Sequence, residues 1–403
     1  MGTKREYDVC VAGGGVAGVA AALEAARQGA RTALVEKTLL WGGLATAGIV
    51  NIYLPLCDGR GRQAIFGLGE DLLHASKRYG PGRVREDWAD PETPSRYVVV
   101  FSPAAFVLAM DELLEAAGVE LLLDTMVVDV LRDGPRVTGL RIANKDGLSD
   151  LHAACTVDAT GDADVAVRAG AACVAGTNHL SIWSVEASME AARDALDRNA
   201  PEALLAVCRL GGDDAGRGAP PGGKTYTGID ADAVTEFTLA TRRMLREHYA
   251  ALPRDEPGRC PDAYPVTLPT VPPYRMTRRI EGVTTVGGED AGRRFADAVG
   301  VFGDWRKPGV VWEVPYGCLV PRETDGLLAA GRCVASADDA WQAFRVIPAA
   351  ALTGQVAGLA AATSAAGKTT PRALDTEALR QDLAGRGWPL HADELGKQRE
   401  DPS

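Results

Sequence analysis

The stretch VCVAGGGVAGVAAA, residues 9–22, decides how the rest of the chain is read. An apolar run of strand length, YDVCVAGG, enters a turn in which Gly13, Gly15 and Gly18 make the spacing GxGxxG. Such a run reads as the buried first strand of a parallel sheet. In such a turn the first glycine allows the bend and the second admits a pyrophosphate to the backbone. The third lets the helix close on the strand. The helix VAGVAAALEAARQG follows, then a second strand, TALVEK. Glu36 stands 18 residues beyond Gly18, where a carboxylate accepts hydrogen bonds from ribose hydroxyls. Strand, loop, helix, strand and acid in this order mark a dinucleotide site and disfavour a 2′-phosphate. They do not choose between a nicotinamide and a flavin.

Residues 102–162 make that choice. SPAAFVLAMDELLEAAG reads as a helix with Ser102 as N-cap, Pro103 in the first turn and Gly118 as stop. The runs VELLLDT, MVVDVLR, RVTGLRIAN and LHAACTVDATG come next, with Asp133-Gly134 and Asp146-Gly147 placed as hairpin turns. A helix followed by an antiparallel meander does not continue a nicotinamide-type βαβ series. The expected fold is α/β: a Rossmann-like domain of parallel sheet plus antiparallel β-meander, with an inserted α+β substrate or cap domain.

At this point the chain resembles bacterial FAD-dependent oxidoreductases of the glutathione-reductase and fumarate-reductase superfamily. The segments that carry the resemblance are WGGLATAGIVN (41–51), DATGDADVAVRAG (158–170), RMTRRIEG (275–282) and the long run from Val314 to Gly358. The resemblance implies a non-covalently held FAD. Gly13, Gly14, Gly15, Ala17 and Gly18 would surround the pyrophosphate, with Glu36 and Lys37 at the adenosine. Gly42, Gly43, Leu44 and Ala45 would run beside the ribityl chain and isoalloxazine. Val127 would offer backbone to the adenine. Ala159, Thr160 and Gly161 would lie near the phosphates, Gly331 and Arg332 at the pyrophosphate end, and Ile347 and Ala349 beside the flavin. The family commonly has arginine after PY, where this chain has Gly317. That departure implies a different substrate or a different loop packing.

The helix beginning near Pro348 brings unpaired N–H groups and a positive dipole end, which favour negative charge on a reduced flavin. No second GxGxxG unit follows, so a dedicated NAD(P)H domain is not expected. The expected boundaries are residues 1–52, 100–177 and 314–370 for the FAD-binding domain and 53–99 and 178–313 for the cap. Residues 371–403 would form a C-terminal helix and polar tail. Helical patterns are read at Ile182–Val207 and Ala231–Ala251, on either side of a Gly/Pro-rich mobile loop, LGGDDAGRGAPPGGKTYTG.

Composition limits the partners. A net charge of -11 and the lack of a basic cluster with aromatics argue against nucleic acid and anionic membrane. Eight scattered cysteines without CxxC point to a reducing, cytoplasmic setting, and five histidines without HExxH to the absence of a metal site. The N-terminus reaches its first strand without room for a signal peptide.

The expected activity is hydride transfer between a small organic substrate and flavin N5, in a dehydrogenase or oxidase with an unidentified electron acceptor or donor. A reductase of an activated C=C bond and a non-catalytic flavin-binding protein are the alternatives. Arg345, Arg278 and Tyr316 are the candidate catalytic residues. Arg275, Arg279, Trp341, His179 and Asp162 are further polar groups of the same region.

Overall fold

In the computed structural model, residues 5–84, 98–213, 216–219, 222–252 and 262–396 are described. The strand β1 (Arg5–Ala12) is wholly buried from Val9 onward, as a central parallel strand must be. The helix α1 (Val16–Arg27) starts at Gly15 and buries every residue from Val16 to Ala25. Then come β2 (Thr32–Val35), β3 (Ile52–Tyr53), α2 (Leu68–Ala75), β4 (Val99–Val100) and α3 (Pro103–Ala116). The α3 start matches its sequence signals, since the Ser102 side chain accepts from the Ala105 N–H at 3.4 Å.

Next in the chain are β5 (Glu120–Leu122), β6 (Met126–Asp133), β7 (Arg136–Asn144) and β8 (Gly147–Asp158). The main sheet runs β5-β2-β1-β8-β7-β6. The run VELLLDT therefore does not open the meander: β5 pairs in parallel with β2, and the antiparallel part is β6-β7-β8 alone. One strand serves both parts. Residues 147–152 of β8 pair antiparallel with β7, while residues 151–158 pair in parallel with β1.

The small helix α4 (Asp164–Arg168) and β9 (Cys173–Ala175) lead to β10 (Ser181–Ser188), α5 (Met189–Asp197) and β11 (Ala206–Gly211). The helix read at 182–207 is α-helical only over Met189–Asp197: its two ends belong to β10 and β11, which pair antiparallel. The helix α6 (Ala231–Ala251) has the expected bounds, with Asp230 accepting from Ala233 N–H at 2.7 Å. β12 (Ala263–Thr267) completes a sheet of order β11-β10-β12. This region has its own small cores, one around Ile182, Cys208 and Leu245 and one around Tyr226, Phe237 and Tyr274.

The chain then returns through β13 (Arg278–Ile280), β14 (Ala298–Gly303), β15 (Val311–Pro315) and β16 (Leu327–Ala329) to α7 (Asp338–Phe344), α8 (Ile347–Ala366) and α9 (Thr376–Gly385). β16 joins the main sheet in parallel beside the second half of β8. Two stretches expected in the cap belong to the main core. Leu68, Leu72 and Leu73 of α2 are part of it, as are Phe295, Val299 and Phe302 around β14. The polar tail expected at the C-terminus lies partly outside the described residues, as do parts of the Gly/Pro-rich loop.

Small residues let α8 lie directly on α1. A Cβ at Gly354 would come within 2.1 Å of the Ala17 carbonyl oxygen, and one at Gly358 within 2.2 Å of that of Ala21. This explains why AAALTGQVAGLAAA is so poor in bulk. Among the described residues no single helix is long and apolar enough to cross a membrane. The seven described cysteines form no disulfide, and Cys260 lies outside the described residues.

Candidate functional site

The parallel strands end level with one another. Ala12 stands opposite Val35 and Asp158, Val35 opposite Leu122, and Ala329 opposite Asp158. The residues that follow them therefore share the carboxyl edge of the sheet, where open α/β sheets bind ligands. A cleft of about 440 Å³ runs along that edge. Gly13, Gly15 and Ala17 line it from the first loop, Glu36 and Lys37 from the end of β2, and Gly42, Gly43, Leu44 and Ala45 from the turn after Trp41. Val127, Ala159, Thr160 and Gly161 line it too, with Gly331, Arg332, Arg345 and Ile347 on the far side.

Gly14, Gly18 and Ala349 do not line the cleft. Gly14 faces the Trp41 ring, which a Cβ there would meet at 2.5 Å. Gly18 faces the strand loop, where a Cβ would lie 1.8 Å from the Gly13 oxygen, and Ala349 is fully buried in the first turn of α8. Gly15 is the opposite case: a Cβ there would meet nothing within 4 Å. Its backbone thus borders open cleft, as a backbone that receives a pyrophosphate has to. Gly42 holds φ +98° while its N–H donates to the Gly14 oxygen at 2.7 Å, laying the second turn against the first loop.

Glu36 is organised by backbone. Its Oε2 accepts from Gly14 N–H at 2.7 Å and its Oε1 from Thr38 N–H at 2.8 Å. A carboxylate has about four acceptor positions, so capacity remains for ribose hydroxyls. Asp162 pairs with Arg332 at 2.5 Å and accepts from the Thr277 hydroxyl at 2.5 Å. Burial alone would raise the Asp162 carboxyl. The Arg332 charge, the hydrogen bonds from Thr277 and Arg332, and the Lys37 charge outweigh burial and hold it below the usual carboxylate range. Buried Nε atoms of Arg278 and Arg332, both on cleft-lining residues, have no hydrogen-bond partner among the described residues. The open face at Gly15, the spare capacity of Glu36 and these donors fit an FAD.

A second cavity, about 420 Å³, adjoins the first. The two share Leu44, Ala45, Arg332, Arg345 and Ile347. Strand alternation builds its roof. Ile182 and Ser184 of β10, with Cys208 and Leu210 of β11, face α6, while Ser181 and Trp183, with Arg209 and Gly211, turn to the cavity. Leu210 reaches that cavity as well. Trp183 stands directly across from Arg209 in the register, and the Arg209 guanidinium carbon lies 4.6 Å from the Trp183 ring centre. The Asn178 side chain holds the next segment in place: its oxygen accepts from Arg275 N–H at 2.7 Å and Met276 N–H at 2.9 Å.

Of the three candidate catalytic residues, only Arg345 lies where the two cavities meet. Arg278 lines the dinucleotide cleft instead, paired with Asp164 at 2.7 Å. Tyr316 lines neither cavity. It is buried, donates its hydroxyl to the Pro371 oxygen at 2.8 Å, and burial pushes its phenol well above the ordinary value. It is a packing residue. Gly317 also faces away from both cavities, since a Cβ there would lie 2.6 Å from the Thr284 hydroxyl oxygen. The departure at Gly317 is therefore one of loop packing. Arg275 and His179 line the second cavity. Arg279 and Trp341 do not, and the Trp341 indole donates to the Arg332 oxygen at 2.7 Å. Sequence reading missed Trp183, Arg209 and Asn178. The alternation in SIWSVEAS was the available signal for the first.

The family described as FAD dependent oxidoreductase matches residues 8–182 and 186–383. No curated protein matches the sequence. The fold is similar to a p-nitrophenol 4-monooxygenase from Pseudomonas putida, with 14% identity over 97% of this chain and 89% of that one, at a TM-score of 0.49. It is also similar to a geranylgeranyl bacteriochlorophyll reductase-like protein from Thermoplasma acidophilum, with 13% identity over 96% and 84% of the two chains, at a TM-score of 0.41.

Proposed function

The chain belongs to the FAD-dependent oxidoreductase family, and within it we propose a dehydrogenase or oxidase of a small organic molecule. The observation that carries this reading is the junction of the two cavities at Leu44, Ala45, Arg332, Arg345 and Ile347. A cofactor extended along the cleft from Glu36 would present its reactive ring at the wall of a separate chamber of substrate size. Bound there, FAD supplies the acceptor for a hydride from a substrate carbon, at N5.

The chain's own contribution is positioning and charge. Gly15 admits the pyrophosphate, and Glu36 orients the ribose. The first turn of α8, which begins at Ile347 with Val346 as N-cap, directs unpaired N–H groups toward the junction and favours negative charge there. Arg345, just before that turn, adds a cation on the substrate side. Val50, Ile52, Leu54 and Val346 give the chamber an apolar side that limits water. His179 is the titratable imidazole of the lining and the first residue to test as proton acceptor.

An anaerobic screen of small metabolites for bleaching of the bound flavin tests the reading. Bleaching by a class of oxidisable compounds is expected, together with slow, non-saturating reduction by NADH and NADPH. Fast saturable reduction by either nucleotide and by no organic compound would contradict it.

A further inference from the structure

The helix α6 is thinly anchored. Of its 21 residues only Phe237, Thr241 and Leu245 are buried. They fall at i, i+4 and i+8, and the same stripe continues at His248 and Tyr249. Beneath that last turn the sheet offers donors rather than apolar bulk. Ser184 and Glu186 share one face of β10, and Cys208 stands across from Ser184, diagonal to Glu186. Glu186 Oε2 accepts from the Tyr249 hydroxyl at 3.0 Å, and the Ser184 hydroxyl lies 3.2 Å from that of Tyr249. A carboxylate oxygen of Glu186, the sulfur of Cys208 and a ring nitrogen of His248 lie within 4.8 Å of one another. Tetrahedral zinc holds such donors about 3.3–3.6 Å apart, so closing on an ion needs movements of about 1 Å. Glu186 and His248 are only half-buried and free to make them. Thiolate, imidazole and carboxylate together form a donor set that zinc takes. The two anionic ligands balance the dication, and the carbonyl end of α6 also favours positive charge. The donors come from β10, β11 and α6, so no local spacing such as HExxH announces them.

We propose that Glu186, Cys208 and His248 bind a zinc ion, with water in the fourth position, and that the ion fastens the last turn of α6 to the β10–β11 pair. The Cys208 thiol gives up its proton on binding. Tyr249 is an outer partner that orients Glu186 through its hydroxyl. None of the three ligands lines the dinucleotide cleft or the adjoining cavity, so the ion acts on the fold and the site stands apart from the proposed function. A core as small as that around Ile182, Cys208 and Leu245 gains from such a staple.

The test uses the purified full-length protein, stripped with a chelator and titrated with zinc or, as a spectroscopic probe, cobalt(II). Zinc is expected to bind with a Kd of about 1 μM or tighter and to raise the midpoint of thermal unfolding. Cobalt should give tetrahedral d–d absorption to the red of the flavin bands, with a thiolate-to-metal charge-transfer band in the difference spectrum. Glu186→Gln and His248→Gln should each weaken zinc binding by about 100-fold or more, since even an outer partner of a ligand is worth about 10- to 100-fold. Cys208→Ser should abolish the charge-transfer band. His74→Gln, at an exposed histidine of α2, should change neither readout. FAD content should stay the same in all four variants. No zinc uptake by the unaltered protein would overturn the proposal. So would cobalt binding without a thiolate band, the mark of an adventitious ion only, or zinc affinity that survives both Glu186→Gln and His248→Gln. The titrations of the unaltered protein decide the matter even if a variant folds poorly.

Discussion

Along the cleft, the groups that would face a dinucleotide are mostly backbone at the ends of β1, β2, β8 and β16. The adjoining cavity is walled by side chains of β10, β11 and the segment around Arg275. The two regions touch at five residues, yet they tolerate change in different ways. In the cleft, three glycines a few positions apart carry three separate burdens. Gly13 is wedged against Ala159, Gly18 against Gly13 itself, and Gly15 borders open space. In the cavity, charge and shape sit on long side chains that can be exchanged without disturbing the backbone. On the proposed function, changes at the backbone sites are expected to cost fold or cofactor, and changes at the side-chain sites to cost substrate binding.

The sharpest break in that contrast would come at Gly18. A Cβ 1.8 Å from the Gly13 oxygen forces α1 off the sheet, so Gly18→Ala should cost about 3 kcal/mol or more. Thermal unfolding of the FAD-free protein is the measurement, and an unchanged midpoint would remove the distinction between the glycines. Arg345→Ala probes the side-chain region. It should leave FAD content unchanged while slowing substrate-driven flavin bleaching by about tenfold or more. Loss of FAD in this variant would move Arg345 into the cleft's machinery.

Glu36→Gln lies between the two regimes, because a side chain there supports backbone. Both carboxylate oxygens accept N–H groups, so an amide turns a donor toward Gly14 or Thr38. FAD affinity should fall by about 1–3 kcal/mol, measured by equilibrium titration of the apoprotein. The smallest effect is expected at Tyr316→Phe. It removes one buried hydrogen bond to Pro371, which should lower stability by about 1 kcal/mol and leave flavin bleaching unaltered. A large loss of turnover would return Tyr316 to the site.

The same contrast explains what could be read in the sequence. The first loop, Glu36 and the helix signals of α3 are local: spacing, cap residue and strand length all fall within a few residues. The cleft was legible for that reason. The level ends of β1, β2, β8 and β16 could be anticipated because parallel sheets share a carboxyl edge. β10 and β11 are hard to read, since the short alternation Trp183-Ser184-Val185-Glu186-Ala187 runs straight into the Ala-rich helical stretch after Ser188. Arg209 becomes a cavity residue only through its register with Trp183, which is a long-range fact. Tyr316 reads as a site residue because it lies in the PYG segment, yet it is buried away from both cavities. Its environment is fixed by Pro371, 55 residues later. Residues 53–99 read as cap because they lie between motifs. Leu68, Leu72 and Leu73 of α2 nevertheless pack in the main core, where Leu68 N–H donates to the Gln355 side chain at 2.7 Å.

The central claim is that the cleft holds FAD with its pyrophosphate over Gly15, and Gly15→Val tests it most directly. Gly15 has φ -65° and ψ 174°, an extended conformation that valine adopts readily, and nothing lies within 4 Å of the added Cβ. The folded apoprotein should therefore keep its Tm within about 2 °C of wild type. FAD affinity, followed by flavin fluorescence on titration, should drop by about 100-fold or more, because the side chain fills the space the phosphates need. Wild-type FAD affinity in a folded Gly15→Val protein would contradict the account.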